Sequence, residues 1–222
     1  MGIPLLAYLA GGAIVLPFIF GLFAAAKLEK DLKPLLGLFG IHTLFTVFQF
    51  VLAFQRVNNI WTSHTYYLIE VAMVFWIYSQ WIYSTRARSI FLGLSILYGI
   101  FWTAAKFSFE EFTVSALYTP TVSRVILLGS TLHILVSIAS NIERPLYLEP
   151  KFWFAAGFLV MYSGSLMFYA FRTLIFGSSL DAIFTLLSIH WITTILSNVL
   201  HVIGFLCILR LPNTGGQLEL AQ

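Results

Sequence analysis

The sequence predicts an all-α integral membrane protein: a bundle of seven transmembrane helices with its N-terminus outside and its C-terminus in the cytoplasm. Three observations predict it. Of the 222 residues, 59% are hydrophobic and only 9% are charged, whereas a water-soluble domain carries about 25% charged residues. Seven apolar runs follow one another along the chain, each near the ~20 residues that a helix needs to cross the hydrocarbon layer. The connections between them are short and polar, which makes successive helices antiparallel neighbours with no inserted domain.

The elements follow in order. The first run, residues 3–26, exceeds the ~7–15 residues of a signal-peptide core and reads as a retained span. Its Gly11, Gly12 and Pro17 permit close helix contact or a kink. The second, residues 34–54, opens on Pro34, whose fixed φ suits a first helical turn. The third and fourth cover residues 66–84 and 89–105. The fifth covers 120–140, with the Thr119 hydroxyl available as an N-cap. The sixth is 152–175, and the last, 179–211, follows Ser178-Ser179-Leu180-Asp181, which reads as a capping box, and stops before Pro212. Residues 213–222 form a polar, flexible cytoplasmic tail. The one longer connection, from Lys106 to Thr119, alternates Phe107, Phe109 and Phe112 with Glu110 and Glu111. Rings beside charges suit the headgroup zone, although an ordinary loop with incidental aromatics reads equally well.

Positive charge sets the orientation. One set of loops holds Lys27, Lys30, Lys33, Arg86, Arg88, Arg144, Lys151 and Arg210; the opposite set holds Arg56, Lys106, Arg124 and Arg172. The richer set belongs in the cytoplasm. Short loops and the lack of a targeting element suit a bacterial inner membrane. The formal net charge of +3 is not concentrated into a run that neutralises phosphates, which argues against nucleic acid as a partner. The single cysteine, Cys207, excludes an intrachain disulfide and a Cys-x-x-Cys metal site. No phosphate-binding loop, His-Glu-x-x-His or Gly-x-Ser-x-Gly occurs, and the last span has no lysine for a retinal Schiff base.

Function is sought among the polar residues stranded in apolar runs, because each costs a few kcal/mol in hydrocarbon unless it faces the bundle interior. On the last run His190, Thr194, Ser197 and His201 share one face at helical period, with Asn198 beside them. His42, Thr46 and Gln49 on the second run and Ser130, His133 and Ser137 on the fifth form similar stripes. Counted from the inner boundaries, His42, His133 and His201 share a level about 10–12 Å deep. They form either a three-histidine Zn²⁺ site for an intramembrane hydrolase or histidines that bond neighbouring helices with no metal. In pairs they are also the candidates for a b-type haem. A resident cofactor is otherwise not expected. Glu70, the one acidic residue clearly inside a span, shares an outer level with His190, close to Tyr66, Tyr67 and Arg124. Paired with His190 or Arg124, it would bind a cationic ligand, relay a proton, respond to external pH or simply lock two helices.

The run Asn58-Asn59-Ile60-Trp61, followed by His64, Tyr66, Ile69 and Glu70, resembles a segment in a loose group of uncharacterised bacterial seven-helix membrane proteins. In that group an Asn-Leu/Ile-aromatic turn precedes His-x-Tyr-x-x-x-Glu at the start of the third span. The resemblance covers about a dozen residues; it implies a topology and an emphasis on His64, Tyr66 and Glu70, and no activity. On a helix His64 and Glu70 stand about 120° apart, so they address two faces.

The leading functional expectation is a small-ligand-binding or sensory bundle with an outer pocket around Glu70, His190, Tyr66, Arg124 and His64. The stripe Thr194, Ser197 and Asn198 would link it inward. With no output domain fused to it, such a bundle would signal through other membrane-protein subunits. The metal-dependent hydrolase, a haem-binding subunit and a transport subunit are the alternatives. Transport lacks its sequence pointer, because the break at Gly11-Gly12 and Pro17 has no counterpart later in the chain.

Overall fold

In the computed structural model, residues 5–82, 84–142, 145–175 and 180–210 are described, without the side chains of 172–175 and 180. Seven α-helices account for nearly all of them: α1 (Leu5–Ala24), α2 (Lys33–Phe54), α3 (Ile60–Trp81), α4 (Thr85–Ser108), α5 (Tyr118–Asn141), α6 (Pro150–Ile175) and α7 (Leu180–Arg210). No strand occurs among the described residues. The Ser178-Ser179 cap and the 213–222 tail lie outside them.

Six of the helices are long and apolar enough to cross a membrane; α3 is the exception. The reason is its composition. Thr62, Ser63, His64, Thr65, Glu70, Ser79 and Gln80 dilute its apolar residues, yet half of the helix is buried, with His64, Glu70, Val71, Phe75 and Tyr78 at 1% exposure or less. Its polar groups face protein, which can satisfy them. The other helices turn large apolar side chains outward, as α2 does with Leu44, Val47, Val51 and Phe54. That inverted surface is what a helix in contact with lipid requires.

Helix ends follow local chemistry. Pro34 occupies the first turn of α2. The α2–α3 turn bends through Arg56, at φ 57°, and is tied by Asn58 Oδ1 accepting from the Ile60 N–H at 3.0 Å and by Asn59 Nδ2 donating to the Gln49 carbonyl at 3.0 Å. These bonds start α3 at Ile60, earlier than the apolar run at Tyr66. Ser84 Oγ caps α4 by accepting from Ala87 N–H. Thr119 is not the cap of α5. The helix begins at Tyr118, Leu117 at the cap position supplies no side-chain bond, and Thr119 is fully buried in the first turn. Glu110 does the capping, as described below.

The helices close a ring. α7 packs against α1 and α6, α6 against α5, α5 against α3, α3 against α2 and α2 against α1, while α4 lies outside on α3 and α5. The half of the ring that holds the C-terminal end of α7 is filled by aromatic side chains. Phe39 stacks on Phe158 at 6.2 Å and meets Phe205 at 5.8 Å, and Phe154 meets Phe205 edge-on at 4.8 Å. Gly157 allows α6 and α7 to approach there, because a Cβ at that position would collide with the His201 imidazole. Beyond this plug, Lys151 and Asp31 pair at 2.6 Å and Lys27 Nζ donates to the Leu209 carbonyl at 2.9 Å.

Candidate functional site

In the other half the ring is open at its centre. A cavity of about 370 Å³ lies between α1, α2, α3, α5, α6 and α7. Its α1 wall is made of Ala7, Ala10, Gly11 and Ile14. The N-terminal halves of α3, α5 and α7 and the C-terminal halves of α2 and α6 supply the polar groups.

At its heart Arg124 Nη1 donates to Glu70 Oε2 at 2.7 Å; both side chains are nearly inaccessible to water, at 6% and 1% exposure. The guanidinium is held between two rings, 5.4 Å from the Tyr67 centroid and 5.3 Å from that of Tyr162, an arrangement that favours a desolvated cation. The Tyr67 and Tyr169 hydroxyls share a hydrogen bond of 2.5 Å. Four polar atoms here make no hydrogen bond among the described residues: Glu70 Oε1, Arg124 Nε, Tyr162 Oη and His190 Nδ1. Buried polar atoms nearly always have partners, so four in one place mark a site.

The cavity joins Glu70, Arg124, Tyr66 and His190 of the expected outer pocket, together with Thr194 of the α7 stripe. It also takes in His42, whose ring stacks on Tyr66 at 4.9 Å. His64 does not belong to it. Its ring faces α4 and the connection that follows it, where Nε2 bonds the Val114 carbonyl at 2.9 Å and Nδ1 meets Lys106 Nζ. A carbonyl only accepts and an ammonium only donates, so His64 is the neutral Nε2–H tautomer. The 120° offset between His64 and Glu70 thus separates two sites.

The three-histidine layer is not formed. His42 lines the cavity, His201 is sealed into the plug, and His133 is exposed on α5 beside Phe91. Among the described residues no three His, Cys, Asp or Glu side chains meet to hold a metal ion. Equal depth along separate helices did not carry equal azimuth. Around these imidazoles, His201 meets Phe39 at 4.8 Å and Phe158 at 4.7 Å, and His42 stacks on Tyr66.

The α7 stripe divides. Thr194 Oγ1 donates to the His190 carbonyl at 2.8 Å and Asn198 Nδ2 to the Thr194 carbonyl at 2.8 Å, so these two satisfy their own helix. Ser197 Oγ has no partner among the described residues, and no side chain bonds the ring of His201. Thr46 on α2 likewise bonds back to the His42 carbonyl at 2.8 Å.

Sequence reasoning missed the second site. Glu110 is buried under α5, where its Oε1 accepts from the backbone N–H groups of Leu117, Tyr118 and Thr119 at 3.0, 2.5 and 3.1 Å. Its Oε2 accepts from Lys106 Nζ at 2.7 Å and from Thr119 Oγ1 at 2.7 Å. Burial pushes this carboxyl up, but the bonds from Lys106, Thr119 and the backbone outweigh it and hold the pKa at about 2. A carboxylate at a helix N-terminus also meets the positive end of the macrodipole. The i, i+4 spacing of Lys106 and Glu110 was the available signal. Tyr162 and Tyr169, seven apart on one face of α6, were the corresponding signal for the cavity. No family model, no curated protein and no solved structure matches the chain.

Proposed function

We propose that the protein is a seven-span bundle of a bacterial inner membrane that binds a small polar ligand from the outer face, at Glu70 and Arg124, and passes the occupancy of that site inward. The observation that carries this reading is the cavity itself. About 370 Å³ is ligand-sized, and it is walled mainly by apolar and aromatic side chains around a few convergent polar groups. The orientation, N-terminus outside and C-terminus cytoplasmic, is supported by the charges. Eight basic residues belong to the side assigned to the cytoplasm and four to the outer side. α7 supports the inward coupling: it lines the cavity with His190 and Thr194 and reaches the plug with His201. A rigid element that touches both places is a physical candidate for a signal, whose receiver would be another membrane-protein subunit.

Melting of the purified protein against a chemically broad panel of small molecules tests the reading. At least one compound should stabilise the wild type and fail to stabilise Ala10→Phe, in which a ring fills the cavity. If no compound separates the two proteins, the reading falls.

A further inference from the structure

The connection between α4 and α5 turns polar groups inward and apolar side chains outward. The Phe109 and Glu110 N–H groups donate to the Ala105 carbonyl at 3.0 and 2.9 Å. The Thr113 carbonyl accepts from Asn58 Nδ2 at 3.1 Å, and the Val114 carbonyl from His64 Nε2 at 2.9 Å. The N–H groups of Leu117, Tyr118 and Thr119 are taken by Glu110 Oε1. Lys106 and Glu110, the charges that brace the turn, have side chains only 1% and 5% exposed. By contrast Phe107, Phe109, Val114 and Tyr118 are 87%, 57%, 60% and 57% exposed. A connection in water would suffer from this arrangement, because it hydrates large apolar side chains. In lipid it is what irregular backbone requires, since only protein can satisfy the polar groups there.

Two lipid-facing stripes lead into the connection. On α4, Ile96, Ile100 and Phe107 are exposed at spacings of four and seven residues, and on α5, Tyr118, Val122 and Val125 follow at four and three, so each set shares one helix face. Phe109 meets Tyr118 edge-on at 5.5 Å and joins the end of the first stripe to the start of the second. The apolar belt of the bundle thus reaches around the turn, with Glu111 as its exposed acid.

Resting on the membrane-spanning reading of the bundle, and on no bound ligand, we infer that residues 107–118 are immersed in the lipid leaflet at their end of the molecule. Phe107, Phe109, Val114 and Tyr118 enter the boundary between headgroups and acyl chains, where aromatic side chains are favoured, and Glu111 stays among the headgroups. The immersed segment keeps water from the Lys106–Glu110 pair and from His64. Nitroxide labels on single cysteines test this, on the full chain in phosphatidylcholine vesicles and in a Cys207→Ser background. Relaxation of each label by oxygen, which concentrates in hydrocarbon, is compared with relaxation by a neutral nickel chelate, which stays in water. At Phe109→Cys and Val114→Cys the oxygen-to-nickel ratio should be several times that at Glu111→Cys and should approach that at Ile96→Cys in the middle of α4; either position serves if the other does not fold. A ratio at 109 and 114 as low as at 111 overturns the inference. Exclusion of both reagents also overturns it, because a protein partner would then cover the patch. If Ile96→Cys still reports hydrocarbon, either failure leaves the membrane-spanning reading in place; an Ile96→Cys label in water removes both.

Discussion

Glu70 and Arg124 illustrate how a buried ion pair behaves when one partner is removed. Glu70→Gln strands a guanidinium that is 6% exposed, and the expected destabilisation is about 3–5 kcal/mol. The double substitution Glu70→Gln with Arg124→Gln removes both charges and should recover most of that loss, as read from thermal or denaturant unfolding in detergent. A loss that simply adds would show that the two side chains are not coupled. Glu110 gives a pH dependence of definite sign. Its carboxyl titrates near 2 in the folded protein, against an ordinary 4.5. The stability it contributes is therefore complete above about pH 4.5 and is lost as pH falls toward 2. Exchange of the Leu117, Tyr118 and Thr119 amides, bonded to Glu110 Oε1, should accelerate through that window relative to exchange in the middle of α5. In Glu110→Gln the window should vanish. At this scale the sequence was legible where cost was high. Glu70 stands out as an acid in an apolar run, and its partner Arg124 was one of two candidates. His42 and His133 were indistinguishable by depth, because the rise along a helix says nothing about which way a side chain points.

Helix pairs show what sequence patterns leave out. α6 and α7 meet closely at Gly157, against which His201 lies, and any side chain there must displace the imidazole. Gly157→Leu should cost about 1–3 kcal/mol through overpacking and should be partly rescued by His201→Ala, measured in the same unfolding assay. An absent rescue would place the strain elsewhere. Apolar runs announced the helices themselves, because a run of that length has one way to satisfy its backbone in oil. Their ends were less legible. Thr119 has the chemistry of an N-cap, but the carboxylate of Glu110, eight positions before Tyr118, reaches the same N–H groups. Local propensity cannot see a competitor that arrives through a turn. The early start of α3 has a similar origin, in the bonds of Asn58 and Asn59 across the α2–α3 turn.

At the scale of the whole molecule, one half of the ring holds the cavity and the other the aromatic plug. Cysteines introduced at Thr194 and at Phe154, in a Cys207→Ser background, should therefore respond differently to a membrane-impermeant thiol reagent. Thr194, beside the cavity, should react from the outer face of sealed cells. Phe154, with no exposed surface, should react from neither side. Labelling of Phe154→Cys from outside would mean that the plug opens. The class of the fold could be read from composition, but the ring could not, since the order in which helices touch depends on azimuths that no single run encodes. The apartness of α3 has a further meaning during biosynthesis. As α3 leaves the ribosome, Glu70 has no counter-ion, because Arg124 lies 54 residues downstream. A weakly apolar segment bearing an unmatched carboxylate enters lipid poorly by itself. On the proposed seven-span topology, a truncation before Arg124 should therefore leave α3 on the aqueous side.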